Sequence, residues 1–89
     1  MPTLSVFYGI KVMMYFMDNK EHHTPHFHVK YAEYKASIAI ESGEMIVGDF
    51  PKKKLKLVQA WVELHQEELI TNWKLACEGE QINKIEPLV

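Results

Sequence analysis

The chain is poor in cysteine: Cys77 is the only one in 89 residues. No intramolecular disulfide can form, and no all-cysteine zinc site can be built. Long apolar runs are also missing, since nothing approaches the ~20 residues that a transmembrane helix needs. The N-terminus, Met1 to Val6, has neither a positive segment nor a long apolar one, which argues against a secretory signal. With the lone thiol, these absences lead to the expectation of a cytoplasmic protein. There is no glycine-rich phosphate loop, nucleophile elbow, zinc-finger spacing or RNA-stacking signature. Neither sign of charge dominates: Lys and Arg total 10, Asp and Glu 12, and the formal net charge is -2 with His neutral. That argues against a nucleic-acid coat protein or a membrane-surface peptide, yet leaves room for a local basic face.

What is present is a folded composition, 47% hydrophobic and 25% charged. We expect a single domain over residues 1–89, because two would leave neither half a credible core. The surplus residue is histidine: five in all, four of them between positions 22 and 28.

The hydrophobic pattern changes near Pro51. Before it the period is two. Ile10, Val12, Met14 and Phe16 share one face of a strand running to Phe16, after a β-prone Val6-Phe7-Tyr8 and a bend at Gly9. Asp18 to Pro25 is polar and reads as a loop. His26 to Tyr31 is a strand with Phe27, Val29 and Tyr31 on one face and His26, His28 and Lys30 on the other. Tyr34 to Ile40 is another, with Tyr34, Ala36, Ile38 and Ile40 inward and Lys35, Ser37 and Ala39 outward. A turn at Glu41 to Glu44 precedes a short strand, Met45 to Gly48.

From Pro51 the pattern is helical. Leu55, Val58, Val62, His65, Leu69, Trp73 and Ala76 step by three or four without a phase break. The preferred reading is one helix from about Lys52 to Cys77, stopped by Gly79. The alternative ends one helix near Leu64 and starts another at Gln66. The expected fold is α+β: a small antiparallel sheet of three to four strands (1–50), one long C-terminal helix packed on one face (52–77), and a tail (80–89). That tail carries Ile82, Ile85 and Leu88, suited to an edge strand or to docking on a partner. A straight helix of this length runs roughly 39 Å, against a radius of gyration of ~12 Å for a domain of this size. The overhang predicts a homodimer or a small protein partner held through the helix.

The segment His22-His23-Thr24-Pro25-His26-Phe27-His28 carries the candidate chemistry. Alternate strand residues share a face with Cβ atoms ~6.5–7 Å apart. His26 and His28 can therefore converge on a divalent metal such as zinc, with His23 as a third ligand from the loop. The same two imidazoles could act as base and acid in cleaving RNA by its own 2′-hydroxyl. Lys30, Lys35 and Lys11 fall on that face as phosphate-binding cations, beside Tyr15 and Ser37. A structural or partner-binding role for the histidines stands beside these chemical ones. Lys52-Lys53-Lys54 opposes the helix dipole, which an acidic partner or a nucleic-acid backbone could offset, unless it is a solvated surface run. His65 lies on the apolar seam and would join the cluster if it points to the sheet.

Val6-Phe7-Tyr8-Gly9-Ile10, Pro25-His26-Phe27-His28-Val29, Glu33-Tyr34, Gly43-Glu44, Gly48, and Trp61-x-Glu63-Leu64-His65-x-Glu67-Glu68-Leu69 with Asn72-Trp73 occur in this order. Together they resemble the bacterial domain-of-unknown-function 4160 family over essentially the whole chain. The resemblance carries no settled biochemical activity. It implies a small stand-alone protein encoded beside another, hence one component of a toxin–antitoxin-like pair. It singles out His26, His28 and His65. The favoured function is therefore a protein-partner-binding module, and the alternative is a His-dependent metal-binding protein or RNA-cleaving nuclease. Nucleic acid is not the favoured partner, and no membrane role is expected.

Overall fold

A computed structural model of the chain describes residues 2–16 and 24–89. Among them lie five strands and two helices: β1 (Thr3–Phe7), β2 (Ile10–Met13), β3 (His26–Tyr31), β4 (Tyr34–Ala39), β5 (Met45–Asp49), α1 (Lys52–Leu64) and α2 (Gln66–Cys77). The strands form one antiparallel meander in sequence order. The fold is α+β as expected, with more strands than the three to four anticipated. Val6-Phe7-Tyr8 belongs to a separate strand. It is joined to β2 by Tyr8 and Gly9, both at positive φ (49° and 78°), which suits the right-handed twist of a two-residue hairpin.

Alternation places Val12, Phe27, Val29, Ile38 and Ile40 in the core, where they meet Val58, Trp61, Val62, Leu69 and Trp73 from the helices. Trp61 is the centre of this layer. It is fully buried, packs on Phe7 and Phe27, and donates its indole N–H to the Glu86 carbonyl at 2.8 Å. Phe16 departs from the strand face it was expected to share with Ile10, Val12 and Met14. β2 stops at Met13, so the alternation no longer applies three residues later, and Phe16 is 46% exposed.

The helical region also departs from the preferred reading and follows the alternative. His65 leaves helical geometry (φ −123°, ψ 30°), and its N–H is shared between the Trp61 and Val62 carbonyls. Gln66 donates its side-chain amide to the Ile40 carbonyl, which ties the break to the sheet. The physical reason is length. A straight helix of roughly 39 Å exceeds the longest dimension of the molecule, 33 Å. Breaking the helix returns Leu69, Trp73 and Ala76 to the core. With the overhang gone, the length argument for a helix-mediated dimer goes too.

The tail forms no strand; it docks on its own domain. Ile85 is buried and donates its N–H to the Leu4 carbonyl, while the buried Asn72 side chain bonds both the N–H and the carbonyl of Asn83. Among the described residues no helix is long and apolar enough to cross a membrane.

Candidate functional site

The functional candidates sit on the face of the sheet opposite Phe27 and Val29, and strand register decides which of them meet. Lys11 pairs with Lys30, Lys30 with Lys35, and Lys35 with Asp49. Directly opposed residues lie ~4.5–5.5 Å apart at Cα, so three lysines stand abreast on three adjacent strands. Among the described residues no ion pair reaches any of the three. Like charges directly opposed in a sheet are destabilising, by roughly 0.2–1 kcal/mol a pair. Asp49 stands opposite Lys35, so the unfavourable pairs are Lys11 with Lys30 and Lys30 with Lys35.

One rung further along, Met13, His28, Ser37 and Val47 are opposed in the same way. His28 Nδ1 and Ser37 Oγ share a hydrogen bond of 3.1 Å, and Tyr15 meets the His28 ring edge to face at 4.2 Å between centroids. The two rungs line a cleft of about 390 Å³ with Lys11, Lys30, Lys35, His28, Ser37 and Tyr15 on its walls. The chain has no arginine, so its cations are compact ammonium charges without the planar fork that grips phosphate bidentately.

Sequence reasoning placed Lys11, Lys30, Lys35, Tyr15 and Ser37 on one face with His28, and the structure brings these together. It separates His26 from them. His26 shares the face, and its ring centroid lies 5.3 Å from that of His28, yet it is 1% exposed and does not line the cleft. Its Nδ1–H donates to the Thr24 carbonyl at 2.8 Å, and Trp73 packs on it at 4.9 Å. The helix break is what carries Trp73 to this position. His65 turns to its own helix, bonding Glu68 at 2.7 Å and packing on Trp61. His22 and His23 lie outside the described residues, and with them the third ligand of the expected zinc site. Among the described residues no group of three His, Cys, Asp or Glu is arranged to hold a metal ion.

Two features of the cleft were not anticipated. Val47 forms part of its wall, and Gly48 brings β5 against β4 so closely that a Cβ there would lie 2.3 Å from the Lys35 carbonyl oxygen. The signal for Gly48 was available: glycine inside a strand marks a close backbone approach. Lys54, by contrast, is absorbed into the fold. It donates to the Tyr8 carbonyl and lies 4.8 Å above the Tyr31 ring.

No curated protein and no solved structure matches this chain. A family profile does, over residues 9–74, which includes β2 to β5, α1 and most of α2 and leaves out β1 and the docked tail. The chain belongs to the family described as Domain of unknown function (DUF4160).

Proposed function

We propose that this protein binds the phosphate backbone of a nucleic acid along the outer face of its sheet. The observation that supports this reading is the row of Lys11, Lys30 and Lys35, opposed across three strands, with Asp49 opposite Lys35 and no ion pair at any of the three among the described residues. Neutralising three phosphates releases counterions, so affinity should fall with salt at a log–log slope of about −2 for a single strand. Fluorescence anisotropy of a labelled oligonucleotide across a salt series tests it. A flat salt response, or unchanged binding in the Lys11→Ala, Lys30→Ala, Lys35→Ala triple variant, would discard the reading. The net charge of -2 does not oppose it, because screening limits the field to about a Debye length, ~8 Å at physiological salt.

A second reading keeps a protein partner, as in a toxin–antitoxin-like pair, and moves the interface from the helix to β5. All five residues of β5 are exposed, and Met45, Ile46 and Val47 form an apolar edge without lysine or proline to block pairing. Light scattering on the natively purified protein should then report a complex or a homodimer that Ile46→Lys disperses. A monomer at micromolar concentration with no co-purifying chain would remove this reading. Both readings suit a cytoplasmic protein.

A further inference from the structure

We propose that the cleft takes an unpaired base, so that the polymer held by the lysine row is a single strand of nucleic acid and not a duplex. This rests on the phosphate-backbone reading and adds a second contact to it. Lysines alone do not account for the cleft. Its volume, about 390 Å³, lies within the ~300–1,000 Å³ of sites that enclose a small organic group. One rung of its wall is cationic, Lys11 with Lys30 and Lys35, all exposed. The next rung holds no lysine and no carboxylate: it is Met13, His28, Ser37 and Val47. Tyr15 stands beside that rung with its ring against His28, and Val47 at the far end is 56% exposed. Apolar and aromatic side chains do nothing for a phosphate, whereas every base has a π-face that packs on them.

Lys30 and His28 are two residues apart on one face of β3, so the two rungs are separated by ~6.5–7 Å. A nucleotide bridges such a gap, with its phosphate at the lysines and its base on the neutral rung beside Tyr15. A duplex cannot do so, because its bases are paired and stacked and offer only their edges in the grooves. Opposite forces therefore separate the two polymers. The duplex has the denser charge, one phosphate per ~1.7 Å of axis, and three lysines alone would favour it. Stacking on an aromatic side chain is open to the single strand only, and strengthens binding roughly 5- to 150-fold per base. A preference for the single strand thus reports a base in the cleft, since charge alone gives the reverse order. DNA and RNA share this chemistry.

The test titrates the full chain by fluorescence anisotropy at one fixed salt concentration. The labelled probes are of equal length: single-stranded DNA, the same DNA as a duplex, single-stranded RNA of the same sequence, and an abasic DNA strand that keeps the sugar–phosphate backbone and lacks every base. The base-bearing single strands should bind at least ~5-fold more tightly than the abasic strand, and more tightly than the duplex. The tighter of the DNA and RNA arms identifies the polymer. Tyr15→Leu keeps apolar bulk and removes the ring. It should lose most of the advantage of the base-bearing strands and leave the abasic affinity unchanged, which also shows that the variant is folded. The comparison of probes on the unaltered protein decides the matter even where the variant does not fold. A duplex or an abasic strand bound as tightly as the base-bearing strands overturns the proposal and leaves the backbone reading standing. Binding of no probe overturns both. An advantage that persists in full in Tyr15→Leu overturns the placement of the base in this cleft.

Discussion

The outer face of the sheet has a closed end and an open end, and strand β3 runs through both. At the closed end His26 is 1% exposed beneath Trp73; at the open end Lys30 is solvated between Lys11 and Lys35. His28 lies between them, half-buried, with one neighbour of each kind. The residues alternate correctly along the whole strand, so local pattern does not create the difference. It comes from the helical layer: α2 changes direction at His65 and brings an indole to one end, and nothing among the described residues covers the other. The lesson is that a shared face does not make a shared site. A buried histidine has become part of the core, while the one two residues away lines the cleft.

Four substitutions probe this contrast, from the largest expected effect to the smallest. Trp73→Ala removes the cover from His26 and opens the core, and should cost about 3–5 kcal/mol in urea denaturation. A loss below about 1 kcal/mol would mean that the closed end is not held by α2. Gly48→Ala tests the wall of the open end. The new Cβ would lie 2.3 Å from the Lys35 oxygen at a φ of 106°, and strain of about 1–3 kcal/mol is expected. Thermal unfolding reads it, and an unchanged Tm would show that β5 can move aside freely.

His26→Ala should cost about 1–2 kcal/mol, through the lost Thr24 bond and the packing on Trp73, with oligonucleotide affinity unchanged. An affinity loss without a stability loss would place His26 in the binding surface after all. Lys30→Ala has the smallest effect on stability and the opposite sign. Removing the middle charge of the row should raise stability by a few tenths of a kcal/mol. The same change should make the salt slope shallower by roughly 0.7. If Lys30→Ala instead destabilises the fold, the row is part of its structure and not a ligand surface.

Much of the sheet was legible because its cues are local. Period-two alternation located β3 and β4 and identified Phe27, Val29 and Ile38 as core. It also put the three lysines on one face with His28, Tyr15 and Ser37. Phe16 was misjudged because nothing in the alternation marks the end of β2 at Met13. The helix break was hidden for a related reason. The apolar phase runs unbroken from Leu55 to Ala76, and His65 keeps the register of the seam while its backbone leaves it. Only the size of the sheet beneath requires a bend there.

The sequence by itself determined the class of the fold, the two faces of the sheet and the row of charge, because each follows from a residue's position relative to near neighbours. Tertiary structure alone decided which histidine stays accessible, where the helix breaks and what the tail covers. Those depend on how far one layer extends past another, and no spacing along the chain records that distance.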